Sequence, residues 1–123
     1  MRVLIVDDTS RARQSMKALL DVWHKPEEVC EAANGTEAVQ MVEEFQPDFI
    51  LMDARMPGMS GLEATRLIKA KWPQIKIIIL SVFTDYQALA IEAGADGFAS
   101  KSDSPETLRK LLAEILQKNT KIG

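Results

Sequence analysis

The sequence predicts a single α/β domain built on a parallel sheet with helices on both faces. Short runs of β-branched and other apolar residues alternate along the chain with longer stretches of helical period, which is typical of strand–helix–strand units. The chain has 123 residues, enough for one domain with one core. Its hydrophobic content of 46% and charged content of 27% are those of a folded globular protein. We therefore expect one domain over residues 1–123, with residues 118–123 as a tail or the start of a linker.

Five segments are expected to be strands. Residues 3–6, 49–52 and 77–80 are continuous apolar runs, as in parallel strands that helices cover on both faces. Residues 29–32 and 97–100 are less apolar, which suits strands nearer the edges of the sheet.

The first two helices have apolar stripes at helical spacing. The stripe of the first consists of Ala12, Met16, Leu19, Leu20 and Trp23. Asn34, with Glu37 three residues later, predicts a capping box at the start of the second. The apolar stripe of this second helix consists of Ala38, Met41, Val42 and Phe45.

Three more helices complete the alternation. The third is expected over residues 62–71 and the fourth over 85–93, where Gly94 forms the C-terminal cap. The fifth is expected to begin after its N-cap Ser104 and to bury Leu108, Leu111, Leu112 and Ile115. Five strands and five helices in this order predict a flavodoxin-like (βα)5 domain with strand order 2-1-3-4-5.

Polar side chains follow four of the five strands. Asp7 and Asp8 follow the first strand, Asp53 ends the third, Ser81 ends the fourth and Lys101 follows the fifth. In a sheet of order 2-1-3-4-5 the ligand crevice opens at the carboxyl ends of the strands, between the first and the third. The sequence therefore predicts a functional site at this edge.

These residue types favour phosphoryl transfer to a carboxylate. Three carboxylates in one place repel one another, by roughly 4 kcal/mol for a pair about 4 Å apart at an effective dielectric of 20. Their hard oxygen ligands suit Mg²⁺, for which Mn²⁺ or a similar divalent ion can substitute, and Lys101 can hold a phosphate oxygen. Asp53, which stands alone at the centre of the edge, is the expected nucleophile, and Ser81 can donate a hydrogen bond to the new phosphoryl group.

Four motifs resemble those of the receiver domains of bacterial two-component response regulators. They are Val3-Leu4-Ile5-Val6-Asp7-Asp8, Leu51-Met52-Asp53-Ala54-Arg55-Met56-Pro57-Gly58-Met59-Ser60-Gly61, Leu80-Ser81 and Gly94-Ala95-Asp96-Gly97-Phe98-Ala99-Ser100-Lys101. The resemblance covers essentially the whole chain. Within the family, residues 94–108 look most like regulators whose output domain is a helix-turn-helix DNA binder.

The resemblance implies a switch that a sensor histidine kinase or phosphotransfer protein operates. Asp53 would be the phosphoacceptor, and Lys101 would bind the phosphoryl group. Asp8 would be a direct Mg²⁺ ligand, Asp7 a ligand through water and the Arg55 backbone carbonyl a third protein ligand, together with Asp53.

The resemblance also implies how the signal leaves the site. Ser81 and Phe98 match the hydroxyl and aromatic switch positions, which would couple the site to the face made by helix 4, strand 5 and helix 5. That face would contact an effector domain or a second copy of the chain, and the output would be transcription regulation. Arg55, Val82 and Phe83 border the site and would tune the lifetime of the phosphoryl group.

One departure from the family pattern concerns the peptide after Lys101. Ser102 follows it, where many relatives have a proline in a cis peptide. A non-proline cis peptide costs about 2.5 to 4 kcal/mol, so we expect the trans form.

Composition excludes several other classes of function. A net charge of −3 without a block of Lys or Arg gives no reason for binding nucleic acid or a membrane surface. No apolar run approaches the roughly 20 residues of a membrane helix, and a lone Cys30, expected to be an inert buried thiol, fits a reducing cytoplasm. His24 is expected to be a surface residue without a role, and the six methionines are explained by packing.

Three alternative interpretations remain. Asp7 and Asp8 could cap the first helix and favour its dipole. An acid phosphatase with an aspartyl phosphate intermediate would need a second acid two residues after Asp53, where this chain has Arg55. A docking module with the same fold but without phosphorylation would lack one of the essential groups, and none is missing. We therefore expect a signalling domain and not a conventional enzyme, although it would assist its own phosphorylation and dephosphorylation.

Overall fold

A five-stranded parallel sheet forms the centre of the protein. The computed structural model describes residues 1–23 and 26–120. The strands are β1 (Arg2–Val6), β2 (Glu28–Ala32), β3 (Phe49–Asp53), β4 (Lys76–Ser81) and β5 (Gly97–Ser100). Their order is β2-β1-β3-β4-β5, and every neighbouring pair is parallel. The predicted fold class and strand order are confirmed.

The burial of the strands follows their apolar content. Every residue of β3 is buried, as is every residue but the first of β1 and of β4. The edge strands β2 and β5 are only partly buried, as their mixed composition predicted. Burial in a central parallel strand needs apolar side chains on both faces, which only the three continuous apolar runs supply.

The helices cover both faces of the sheet. They are α1 (Ser10–Trp23), α2 (Gly35–Phe45), α3 (Gly61–Lys71), α4 (Gln87–Glu92) and α5 (Pro105–Thr120). Helices α1 and α5 pack with β1, β3 and β4 in one apolar cluster, which includes Met16, Leu20, Leu112 and Ile115. Helices α2, α3 and α4 form the cluster on the opposite face, which includes Val42, Ile68 and Ala90.

The predicted helix caps are present. The Asn34 side chain accepts a hydrogen bond from the Glu37 backbone N–H at 2.8 Å, and the Ser104 hydroxyl accepts one from the Thr107 N–H at 3.2 Å. Ser60 caps α3 in the same way, through the Glu63 N–H at 3.1 Å. Each bond satisfies a donor that the first turn of a helix leaves unpaired.

The fourth helix differs from its prediction. Residues 84–86 form a 3₁₀ turn, so α4 starts only at Gln87 and has six residues. No side chain caps the 3₁₀ turn or the helix, so no side-chain oxygen accepts a hydrogen bond from the first backbone N–H groups of the segment. The C-terminal end agrees with the prediction, because Gly94 has a φ of 100°.

Some predictions fall outside the described residues or differ from them. His24 and residues 121–123 lie outside, whereas residues 118–120 of the predicted tail belong to α5. Cys30 is only partly buried on the edge strand β2, not fully buried as predicted, although burial and the neighbouring Glu28 charge raise the pKa of its thiol. Within the described ranges, no helix is long and apolar enough to cross a membrane.

Candidate functional site

The carboxyl ends of the strands bring the predicted site residues to one edge of the sheet. Asp53 is the last residue of β3 and pairs in register with Leu80, next to Ser81 at the end of β4. Lys101 directly follows β5, and its backbone N–H donates to the Ser81 carbonyl at 2.8 Å. Asp7 follows β1, where its N–H donates to Ala32 on β2 at 3.1 Å. The sheet thus fixes the main chain on which the site is built.

Asp7 is held more firmly than its neighbour Asp8. The Asp7 side chain is 1% exposed, and its Oδ1 accepts hydrogen bonds from the Thr9 N–H at 3.0 Å and the Thr9 hydroxyl at 3.3 Å. Asp8 is exposed to solvent at the mouth of the site. The two adjacent acids therefore present one fixed and one open carboxylate.

Lys101 connects the two buried acids. Its Nζ donates to Asp7 Oδ2 at 2.7 Å and lies 3.3 Å from Asp53 Oδ1. The Lys101 side chain is 27% exposed and the Asp53 side chain 10%. The ammonium group therefore bridges the Asp7 carboxylate, which follows β1, to the predicted phosphoacceptor on β3.

Burial and the neighbouring charges shift the pKa values of Asp53 and Lys101. Burial raises the pKa of Asp53 and the Asp7 charge adds to this, while the Lys101 charge partly opposes it. Burial alone would lower the pKa of Lys101, but its hydrogen bond to Asp7 and the charges of Asp53 and Asp7 raise it above the usual value. A cation beside these carboxylates is thus favoured, and the ionised form of Asp53 is not fully compensated.

The three acids fit a divalent cation. Asp7, Asp8 and Asp53 each offer a carboxylate oxygen, and these oxygens lie within 4.8 Å of one another. Such a set of hard oxygen donors, partly open to water, suits Mg²⁺. Within the described residues, Lys101 is the one cation that pairs with these carboxylates, and it contacts only two of the three.

The backbone of Gly61 lies close to the backbone of Asp53. The Gly61 N–H donates to the Ala54 carbonyl at 3.1 Å, and a Cβ on Gly61 would overlap the Asp53 backbone carbonyl. In the sequence Gly61 is part of the motif that follows β3, but the motif does not indicate this contact. The first residue of α3 therefore has to be glycine for the helix to lie against the end of β3.

Ser81 and the loop after it form the other wall. Ser81 is 2% exposed, and its Oγ accepts a hydrogen bond from the Phe83 N–H at 3.0 Å. The Phe83 ring is stacked by the Arg55 guanidinium at 5.4 Å and approached edge-on by Tyr86, with a centroid distance of 6.3 Å. Val82 is 60% exposed. Arg55 and Phe83, predicted to border the site, are thus in contact with each other.

Phe98 lies one strand further along the sheet. It is in register with Ile79 and packs on the side of the sheet that α2, α3 and α4 cover. The phenyl group is half-buried, so it lies between the core and the surface near α4. The peptide between Lys101 and Ser102 is trans, as predicted, and the described ranges contain no cis peptide.

The comparison with protein families gives one match. The model described as "Response regulator receiver domain" matches residues 3–113. This range includes β1 from its second residue on, the other four strands in full and every residue assigned to the site above.

Similar proteins of known name are bacterial regulators. The chain is 43% identical over 109 residues to the transcriptional regulatory protein YdfI of Bacillus subtilis, covering 87% of this chain and 51% of that protein. It is 37% identical over 123 residues to the oxygen regulatory protein NreC of Staphylococcus aureus, covering 98% and 57%. The chain thus spans about half the length of these relatives.

Two solved structures that align with nearly the whole of this chain are response regulators. A DNA-binding response regulator of the LuxR family from Staphylococcus aureus aligns with a TM-score of 0.84 and 30% identity, over 93% of this chain and 97% of that chain. The response regulator protein TrrA of Thermotoga maritima, in complex with Mg²⁺ and BeF, aligns with a TM-score of 0.84 and 32% identity, over 93% and 97%.

Proposed function

The chain belongs to the response regulator receiver domain family, and from that premise we propose that it is a phosphorylation-dependent switch whose phosphoacceptor is Asp53. The observation that carries the proposal is the contact of Lys101 with both Asp53 and Asp7 at a strand edge where three carboxylates meet. A lone strand-end aspartate would have no such setting. The partner would be a sensor histidine kinase or a phosphotransfer protein of the cytoplasm.

The proposed chemistry is transfer of a phosphoryl group from a phosphohistidine to Asp53. One Asp53 carboxylate oxygen forms a bond to phosphorus, the P–N bond breaks, and the departing imidazole nitrogen keeps the electron pair and takes up a proton. Asp8, Asp53 and the Arg55 carbonyl, with Asp7 through water, would hold Mg²⁺, whose charge would offset that of the transferring group. Lys101 would then exchange its contact with Asp53 for one with a phosphoryl oxygen.

The signal would leave the site through the end of β4. The Ser81 hydroxyl can donate its proton to a phosphoryl oxygen while its oxygen keeps the hydrogen bond from Phe83. Phe98, which packs on the side of α4, would change its position in response. The face of α4, β5 and α5 would then bind an effector domain or a second copy, and the exposed Leu89 and Ile91 of α4 supply apolar surface for this.

Residues next to the site would set how long the phosphoryl group lasts. The exposed side chains of Arg55, Val82 and Phe83 lie in the loops that follow Asp53 and Ser81 and would control the approach of the attacking water. In this scheme the domain assists a single transfer to itself and its later hydrolysis, and it does not turn over a separate substrate. The output would be transcription regulation, as in the relatives named transcriptional regulators, if an effector domain follows.

The proposal is tested by incubating the protein with Mg²⁺ and acetyl phosphate and measuring the intact mass. We expect one phosphate adduct in the wild type and none in Asp53→Asn. The control is Asp21→Asn, which removes an exposed carboxylate on α1 and should still form the adduct. An adduct that persists in Asp53→Asn would contradict the assignment. If no adduct forms and beryllofluoride leaves the NMR signals of Ser81 and Phe98 unchanged, the chain is a docking module.

A further inference from the structure

We propose that Arg13 is a positioning residue for the divalent-cation site, because it fixes the peptide that joins Asp7 to Asp8. Its Nη1 donates to the backbone carbonyl of Asp7 at 2.6 Å, and its Nε donates to Glu31 Oε1 at 2.8 Å. The Arg13 side chain is 17% exposed. The guanidinium therefore bridges the loop after β1 to the edge strand β2 in a fixed geometry. This inference rests on the function proposed above.

The Asp8 carboxylate depends on this backbone contact. Within the described residues, Asp8 has neither a hydrogen-bond nor an ion-pair partner for its side chain, whereas the Asp7 side chain has Thr9 and Lys101. The carbonyl that Arg13 binds belongs to the peptide plane that leads into Asp8. With this plane held, Asp8 presents its oxygen to the other two acids without having to order the loop when a cation binds.

The position of Arg13 in α1 does not by itself favour an arginine. Arg13 lies near the start of α1, where the helix dipole favours negative and not positive side chains. The hydrogen bonds to its two acceptors are the observed contacts that favour an arginine here. One of them, Glu31, would by itself account for a strap between α1 and β2, so the contact with the Asp7 carbonyl has to be separated from that strap.

Lys17 provides the matched control. It lies one turn further along α1 and contacts the same Glu31, with Nζ 3.4 Å from Oε2, but its hydrogen bond does not reach the loop after β1. Removing either residue deletes one positive charge and one contact to β2. Only the removal of Arg13 frees the Asp7 carbonyl.

The direction of the effect separates positioning from charge. Deleting a cation close to a Mg²⁺ site tightens Mg²⁺ binding if the cation acts only by repulsion. Loss of a positioning contact weakens binding, typically by about tenfold or more. We therefore expect Arg13→Ala to raise the Mg²⁺ dissociation constant about tenfold and Lys17→Ala to leave it within about twofold of the wild type.

The experiment is a Mg²⁺ titration of the full chain by calorimetry or NMR, with Arg13→Ala, Arg13→Lys and Lys17→Ala. Arg13→Lys keeps the charge but not the two-armed geometry, so it should weaken binding as well. In metal-free buffer, amide exchange at Asp8 and Thr9 should be faster in Arg13→Ala than in Lys17→Ala. If Arg13→Ala does not fold, Arg13→Gln replaces it.

An unchanged or lower Mg²⁺ dissociation constant in Arg13→Ala would overturn the proposal. Equal weakening of Mg²⁺ binding in Lys17→Ala would do the same. Failure of the phosphoacceptor assignment is seen separately, because Asp53 phosphorylation is measured on the wild type and does not require any Arg13 variant. A wild type that binds Mg²⁺ while Arg13→Ala binds it equally well rejects only the role of Arg13.

Discussion

At the amino ends of β4 and β5 the acid Asp96 is paired with cations, whereas at the carboxyl ends of β1 and β3 the acids outnumber the cation that pairs with them. Lys69 Nζ, at the amino end, donates to the Pro73 carbonyl at 2.9 Å, the Ile75 carbonyl at 2.9 Å and Asp96 Oδ2 at 3.1 Å. Three donors of the ammonium group therefore have three acceptors. Asp96 also accepts the Ile77 N–H at 2.9 Å and lies 3.8 Å from Lys76 Nζ.

The carboxyl end contains the same types of side chain in a different balance. Asp7, Asp8 and Asp53 converge there, but Lys101 pairs only with Asp7 and Asp53, and the pKa of Asp53 is raised by burial and by Asp7. A matched cluster stabilises the fold, because each polar group has its partner within the chain. A cluster with more acids than cations costs stability, and its carboxylate oxygens remain available to a ligand. The groups at the amino end of the sheet thus stabilise the fold, whereas those at the carboxyl end could hold a cation.

The largest expected effect is at the amino end. Lys69→Met should lower the free energy of unfolding by about 2 kcal/mol, because Asp96 and two backbone carbonyls lose a shared charged donor. Urea unfolding measures this. Arg66→Met, on an exposed position of the same helix, is the control and should change little. Mg²⁺ affinity should not change in either variant, and a weakened affinity in Lys69→Met would show that the two ends are not independent.

At the carboxyl end we expect a substitution to stabilise the fold. The pKa of Asp53 is raised in the folded state, so folding disfavours its ionised form at neutral pH. Asp53→Asn removes that charge and should raise the melting temperature in metal-free buffer by a few degrees. Differential scanning calorimetry with and without Mg²⁺ measures this, and added Mg²⁺ should stabilise the wild type more than the variant. A lower melting temperature in the variant would mean that the ion pair with Lys101 outweighs the cost of burying the Asp53 charge and the repulsion from Asp7.

The sequence was sufficient to predict those parts of the molecule that depend on order along the chain. The central strands follow from continuous apolar runs, and Asp7, Asp53 and Lys101 converge because parallel strands end at one edge. The caps at Asn34 and Ser104 act over three residues and are equally local.

Contacts between separate elements could not be read in the same way. Arg13 contacts the carbonyl of Asp7, six residues earlier, and the carboxylate of Glu31, 18 residues later. The sequence does not indicate the direction of its side chain. The need for glycine at position 61 arises from a backbone approach that only the packed structure defines. The fourth helix starts with a 3₁₀ turn that no side chain caps, and its sequence pattern does not distinguish this turn from the first turn of an α-helix.

The smallest effect concerns Glu31, an acid on the carboxyl side that is matched and exposed. Its hydrogen bond with Arg13, together with Lys17, lowers its pKa below the usual value near 4.5, although burial partly opposes this. A lowered pKa adds stability above the unfolded-state value, and this stability is lost as the pH falls through the folded-state value. Glu31→Gln should therefore lower the free energy of unfolding by about 0.5 kcal/mol at pH 7, since the pair is largely solvent-screened, and by nothing once the pH lies below the folded-state pKa. Urea unfolding from neutral pH to about pH 3 measures the difference, with Glu43→Gln on an exposed position of α2 as the control. A difference that stays constant with pH would show that the Glu31 side chain contributes by packing and not by charge.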